Sequence, residues 1–126
     1  MAEARTKVLL IDSETTLTLA LSDALVDHDP SCAPLLARTA DQALAFLRSE
    51  PAIGLVVLDL GLPGADGQAL AEKILAEFPG TALIVTSTLG CAELRAEFGG
   101  RALGFLQKPF DLEDFMQLSF KGLNAP

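Results

Sequence analysis

Four short apolar runs in this 126-residue chain each deliver polar side chains at or just past their ends. Val8 to Ile11 leads into Asp12-Ser13-Glu14, and Leu55 to Leu58 into Asp59. Leu83 to Val85 leads into Thr86-Ser87-Thr88, and Ala102 to Leu106 into Lys108-Pro109. If the runs are neighbouring strands, acids, hydroxyls and one lysine converge on a single edge. Close carboxylates repel one another, and a hard divalent cation such as Mg²⁺ relieves that repulsion. With a cation and Lys108 nearby, Asp59 stays ionised and can attack a phosphoryl group, whose oxygens the hydroxyl and the lysine then bind. Each residue alone has a plainer role, because an Asp at a strand end is often a helix cap and a lone Lys is usually a solvated charge. Their conjunction at four strand ends is what carries the chemistry.

The elements that bring these residues together follow from periodicity. The run at Val8–Ile11 is too short for a helix and suits a strand buried on both faces. Leu17, Leu21, Ala24, Leu25 and His28 then recur at helical spacing. Asp29-Pro30 breaks that helix, and Ala33 to Ala37 is a weak second strand. Thr39 and Gln42 form a capping box for a helix whose inner stripe is Ala43, Phe46 and Leu47. The strong strand Leu55–Leu58 follows, then a loop with Gly61, Pro63, Gly64 and Gly67. A third helix carries Leu70, Ile74 and Phe78 and stops at Pro79-Gly80. After the strand Leu83–Val85, a short helix Glu93–Phe98 ends at Gly99-Gly100, the weaker strand Ala102–Leu106 follows, and Asp111 opens a last helix. Such alternation predicts a doubly wound, five-stranded parallel sheet with helices on both faces, because parallel strands need crossover connections. In that architecture ligands bind outside the carboxyl ends of the strands, where the polar residues fall.

Nearly the whole chain, Val8 to about Phe120, resembles a receiver domain of bacterial two-component response regulators, a flavodoxin-like fold. The segment LVVLDLGLPGADG (Leu55 to Gly67) carries the resemblance, supported by KPF (Lys108 to Phe110). The resemblance implies that Asp59 accepts phosphoryl from a histidine kinase or a histidine phosphotransfer protein, that Lys108 is the family's lysine and that Asp12 is a Mg²⁺ ligand. It also makes the backbone carbonyl of Gly61 a metal ligand and Phe105 the aromatic whose rotamer reports activation. The peptide bond before Pro109 is often cis in such domains. Signals are expected to leave toward a downstream protein or effector domain through the fourth helix, fifth strand and fifth helix.

Two positions depart from the family pattern. The second acid after the first strand is replaced by Ser13, a neutral and weaker ligand that binds Mg²⁺ weakly or through water. Glu14, the next acid, could compensate through water, although its side chain is expected to point elsewhere. The switch hydroxyl is Ser87 when counted forward from Asp59 and Thr86 when counted back from Lys108, so a one-residue deletion lies between them. Ser87 is favoured because the helix before it matches without a gap. A one-residue slip reverses side-chain direction, so only one of the two can face the site.

Composition removes other classes. Seventeen acids against nine bases leave a formal charge of −8, which gives no basic groove for nucleic acid or anionic lipid. No signal peptide or membrane span is evident, so a cytoplasmic protein is expected. The length suits a single receiver domain with no effector, either standing alone or excised from a larger regulator. Cys32 and Cys91 read as free thiols, His28 as structural, and Phe115 and Met116 as core or docking surface. The Gly61–Gly64 loop lacks the Lys-Ser/Thr ending of a nucleotide-binding P-loop. Two rivals remain. One is a degenerate receiver that binds partners without phosphate, which Ser13 favours. The other is an aspartate-nucleophile hydrolase, which normally has an acid two residues after the nucleophile, where Gly61 stands.

Overall fold

The computed structural model describes residues 6–123, so the polar stretch 1–5 and residues 124–126 lie outside the described residues. Five strands, β1 (Thr6–Ile11), β2 (Cys32–Ala37), β3 (Ile53–Asp59), β4 (Ala82–Ser87) and β5 (Gly104–Gln107), alternate with α1 (Thr15–His28), α2 (Ala40–Ser49), α3 (Gly67–Glu77), α4 (Cys91–Phe98) and α5 (Leu112–Leu123). They form one sheet in the order β2-β1-β3-β4-β5, and every pairing is parallel. The chain leaves β1 toward one edge and returns past it to fill the other. The switch point therefore lies between the carboxyl ends of β1 and β3, where Asp12 and Asp59 stand.

Alternation along the strands sorts the core into two layers. Leu9, Ile11, Val56, Leu58, Leu83 and Val85 pack on Ala43, Leu47, Leu70, Ile74 and Phe98, the face of α2, α3 and α4. Val8, Leu10, Leu55, Val57, Ile84 and Leu106 pack on Leu21, Leu25 and Phe115, the face of α1 and α5. Both layers are apolar, and for that reason the strands read in sequence as unbroken apolar runs. Phe115 is fully buried and Met116 packs against the same layer, so both are core. His28 ends α1 with its ring 4.4 Å from that of Phe120, a packing role. Cys32 is buried and Cys91 half-buried, both as free thiols.

The capping box expected at Thr39 and Gln42 forms at the start of α2. The Thr39 hydroxyl accepts from the Gln42 N–H at 3.2 Å, and the Gln42 side chain accepts from the Arg38 N–H at 2.8 Å, which satisfies two donors at the start of α2. Asp66 caps α3 by accepting from the Ala69 N–H at 3.1 Å. Several boundaries move: β1 begins at Thr6 rather than Val8, β3 at Ile53 rather than Leu55, and β4 runs on to Ser87. α4 begins at Cys91 rather than Glu93, and β5 begins at Gly104 rather than Ala102. A 3₁₀ turn over Gly99–Arg101 takes up the chain before β5, and only from Leu103, whose N–H reaches the Leu83 carbonyl at 2.7 Å, does it join β4.

Candidate functional site

Parity within the strands decides which side chains meet. Asp12, Asp59, Thr86 and Lys108 each lie two residues past Leu10, Val57, Ile84 and Leu106, all members of the α1/α5 layer. All four therefore leave the sheet on that one face, at its carboxyl edge. Asp59 and Thr86 are direct register partners across β3 and β4. Ser87 lies two residues past Val85 and shares the opposite parity. The structure thus puts Thr86, rather than the favoured Ser87, on the face of Asp59.

Lys108 is the hub. Its Nζ donates to Asp12 Oδ2 at 2.7 Å, to Glu14 Oε1 at 3.0 Å and to Asp59 Oδ2 at 3.2 Å. Asp12 and Asp59 are 6% and 7% exposed, so two carboxylates share a buried pocket beside one ammonium. Their other oxygens are held by backbone. Glu14 N–H donates to Asp12 Oδ1 and Gly61 N–H to Asp59 Oδ1, each at 2.9 Å. The loop after β3 is tied to β4 by the Leu60 N–H, which reaches the Thr86 carbonyl at 3.0 Å. The Lys108–Pro109 peptide bond is cis.

Glu14 departs from its expected orientation, since its side chain turns toward Lys108 rather than away from it. An Asx turn closed by the Asp12 carboxylate folds residue 14 back over the pocket. Ser13, between them, is half-buried. The hydroxyls differ in their partners. Thr86 Oγ1 is buried with no hydrogen-bond partner among the described residues, whereas Ser87 Oγ accepts from the Leu89 N–H at 3.0 Å. Phe105 lies on the other face, its ring stacked 6.3 Å from that of Phe98 in α4.

The electrostatics follow from crowding. Burial holds the Asp12 carboxyl above its ordinary value of 3.8, against hydrogen bonds from Lys108 and the Glu14 N–H, and the charge of Asp59 adds to the rise. For Lys108, burial works against the charged form. Hydrogen bonds to Asp12 and Glu14, with the charges of Asp12 and Asp59, outweigh it and hold the ammonium above the usual lysine range. Asp12, Glu14 and Asp59 each offer an oxygen within 4.8 Å of the others, a hard-oxygen donor set with only one cation among it. That set fits a divalent cation of the Mg²⁺ type, which takes oxygen ligands.

A stability prediction arises here. Because the folded state holds the Asp12 proton more tightly than the unfolded chain, stability falls as pH rises above the unfolded value of 3.8, and ionised Asp12 is a net cost at neutral pH. Asp12→Asn is expected to raise the melting temperature at neutral pH in the presence of a chelator. Thermal unfolding checks this, and an unchanged or lower midpoint counts against it.

A larger cavity, about 620 Å³, opens at the opposite end of β3. Two of its polar lining residues are already engaged. Glu50 pairs with Lys7 at 3.0 Å, and the Thr81 hydroxyl donates to the Ile53 carbonyl at 2.9 Å. The convergent, under-neutralised groups are at the carboxyl edge.

Comparison with known proteins shows the family. The family model for the response regulator receiver domain matches residues 8–119. The chain is 30% identical over 115 residues to the response regulator protein FleR of Pseudomonas aeruginosa, covering 89% of this chain and 23% of that protein. It is 31% identical over 115 residues to the C4-dicarboxylate transport transcriptional regulatory protein DctD of Rhizobium meliloti, covering 90% of this chain and 24% of that protein. The chain thus spans about a quarter of the length of these relatives. Among solved structures, the receiver domain of NtrX from Brucella abortus superposes with a TM-score of 0.82 at 28% identity, covering 94% of this chain and 99% of that one. The non-phosphorylated HemR receiver domain from Leptospira biflexa gives 0.83 at 27% identity, covering 97% of each. With its fold, its strand-end acids and lysine and the family match over residues 8–119, the chain belongs to the response regulator receiver domains.

Proposed function

We propose that this protein takes a phosphoryl group onto Asp59 from the phosphohistidine of a histidine kinase or phosphotransfer protein. The observation that carries the reading is the convergence of Asp12 and Asp59 on the Lys108 ammonium, at 2.7 and 3.2 Å, at the switch point of the sheet. An Asp59 oxygen bonds to phosphorus as the phosphorus–nitrogen bond breaks and the imidazole keeps the electron pair. The Gly61 N–H and Lys108 hold the carboxylate aimed through hydrogen bonds to its two oxygens. Mg²⁺, held by Asp12, Asp59 and the Gly61 carbonyl, would supply counter-charge to the phosphoryl oxygens. A cleft of about 290 Å³ lined by Glu14, Leu17, Thr88, Lys108, Pro109 and Phe110 gives the donor side chain a way in.

The hydroxyl that answers phosphorylation is Thr86 in this reading. Its Oγ1 has no partner to give up, and a phosphoryl oxygen on the opposite residue would accept from it. The signal then passes to Phe105 and the face formed by α4, β5 and α5, where a downstream protein or effector domain binds. The cytoplasm is the compartment proposed, and no helix among the described residues is long and apolar enough to cross a membrane. The phosphate-independent alternative drew on Ser13 alone, and with Glu14 turned into the pocket it has no observation behind it.

The test is incubation with Mg²⁺ and a small acyl phosphate, followed by intact-mass measurement and mapping of the adduct. One added phosphoryl group on Asp59 is expected, and its absence overturns the proposal. Thr86→Val is expected to leave stability unchanged or higher, since it removes an unpaired buried hydroxyl, while abolishing the shift of the Phe105 ring resonances on addition of beryllofluoride. Ser87→Ala is expected to cost about 1 kcal/mol for the lost bond to Leu89 N–H and to keep that shift. The reverse pattern in NMR spectra assigns the switch to Ser87.

A further inference from the structure

We infer that Glu14 supplies the third carboxylate of the divalent-cation site, in place of an acid at position 13, an inference that rests on the proposed Mg²⁺-dependent chemistry at Asp59. Glu14 is the N-cap residue of α1, where an acid would ordinarily accept from the first-turn N–H groups, yet its side chain makes no cap bond. Instead its Oε1 lies 3.0 Å from Lys108 Nζ. The Asx turn made by Asp12 Oδ1 and the Glu14 N–H, at 2.9 Å, starts the Glu14 side chain beside the Asp12 carboxylate. Its extra methylene relative to aspartate then gives it the reach to enter the pocket from one residue further along. The result is three carboxylate oxygens within 4.8 Å of one another, from Asp12, Glu14 and Asp59.

Two features point to a group that completes this pocket. Three carboxylates face one ammonium, so two negative charges stay uncompensated, which a divalent cation balances. On the same face, the buried Thr86 hydroxyl has no partner among protein atoms. Asp12 and Asp59 are fixed by their buried positions, but the Glu14 side chain is 61% exposed. Glu14 can exchange between Lys108 and a cation without disturbing the core. Ser13 brings no charge to the pocket and is left out of the set.

Mn²⁺ titration of the full chain, with free Mn²⁺ read by electron paramagnetic resonance, tests this without reference to activity. Glu14→Gln and Glu14→Asp are expected to weaken Mn²⁺ binding by about tenfold or more, the first by losing the charge and the second by losing the reach. Ser13→Ala is expected to bind within about twofold of wild type, well below the roughly tenfold or greater cost of disturbing a metal's outer shell. Since residue 14 is exposed, melting curves of all three in chelator should match wild type. Wild-type affinity in Glu14→Gln overturns the inference, and wild-type affinity in Glu14→Asp reduces Glu14 to a distant charge and also overturns it. A loss in Ser13→Ala equal to that in Glu14→Gln returns the role to position 13. If wild type binds no Mn²⁺ the inference falls too. Whether the phosphoryl reading survives any of these results is decided separately, by the adduct on Asp59 in wild type.

Discussion

Asp59→Asn is expected to take up no phosphoryl group under conditions in which the wild-type chain becomes modified. The substitution is isosteric and keeps an oxygen to accept from the Gly61 N–H, which lies 2.9 Å from Asp59 Oδ1. What disappears is the carboxylate oxygen proposed to attack phosphorus, because an amide is neutral and its lone pairs are delocalised. Electrostatics argues against misfolding as the source of the loss. Removing one of two buried carboxylates relieves repulsion, and Lys108 still has Asp12 and Glu14 as partners. Intact-mass spectra before and after exposure to a small acyl phosphate with Mg²⁺ decide the matter. An acyl phosphate is cleaved by mild alkali whereas phosphoserine and phosphothreonine esters are more resistant, so base treatment separates modification of Asp59 from stray modification of Ser87 or Thr86. An alkali-labile adduct of wild-type amount on Asp59→Asn removes Asp59 from the role.

Gly67→Ala is expected to destabilise the protein by about 3 kcal/mol, the upper part of the range for overpacking a tight site. A Cβ built on Gly67 would sit 2.3 Å from the Leu60 carbonyl oxygen and 2.7 Å from the Leu60 Cα. Both obstacles are backbone, so no rotamer change relieves the clash. Either α3 withdraws from the sheet or the loop after Asp59 moves, and that loop carries Gly61 and is tied to β4 through the Leu60 N–H. The sign is informative because helix propensity alone favours Ala over Gly by about 1 kcal/mol. Thermal or urea unfolding measures the change, and Gly80→Ala serves as the control, since nothing lies within 4 Å of a Cβ there. A Gly67→Ala protein as stable as wild type contradicts the close approach of α3 to the Asp59 loop. Reduced phosphoryl uptake is expected alongside, through displaced Gly61.

Much of the scaffold was legible because each element carries its own local signal. The capping box at Thr39 and Gln42 and the Pro79-Gly80 stop both act within a few residues of chain, and the structure keeps them. Among the limits that moved, Cys91 and Gly104 sit where no such signal exists, and for Gly104 pairing with β4 decides when the strand begins.

The site was legible in its membership and illegible in its aim. Alternating apolar runs and helical stripes implied a parallel sheet, and the acids and lysine after those runs implied one edge. That much is a property of the sequence, because strand ends in such a sheet share a side. Which hydroxyl faces Asp59 was not, since strands buried on both faces show no alternation of apolar and polar residues, and parity emerges only from register. Pairing Asp59 with Thr86 across β3 and β4 supplied it. The direction of Glu14 was likewise hidden. Its side chain turns inward because a carboxylate two residues earlier captures its N–H and an ammonium 94 residues away captures its oxygen. The close approach of Gly67 to Leu60 depends in the same way on how α3 meets the sheet. Local chemistry determined which groups this protein brings to one edge. Long-range packing decided which of them touch, because contact between residues distant in sequence is fixed by register and by opposite charges in a shared pocket.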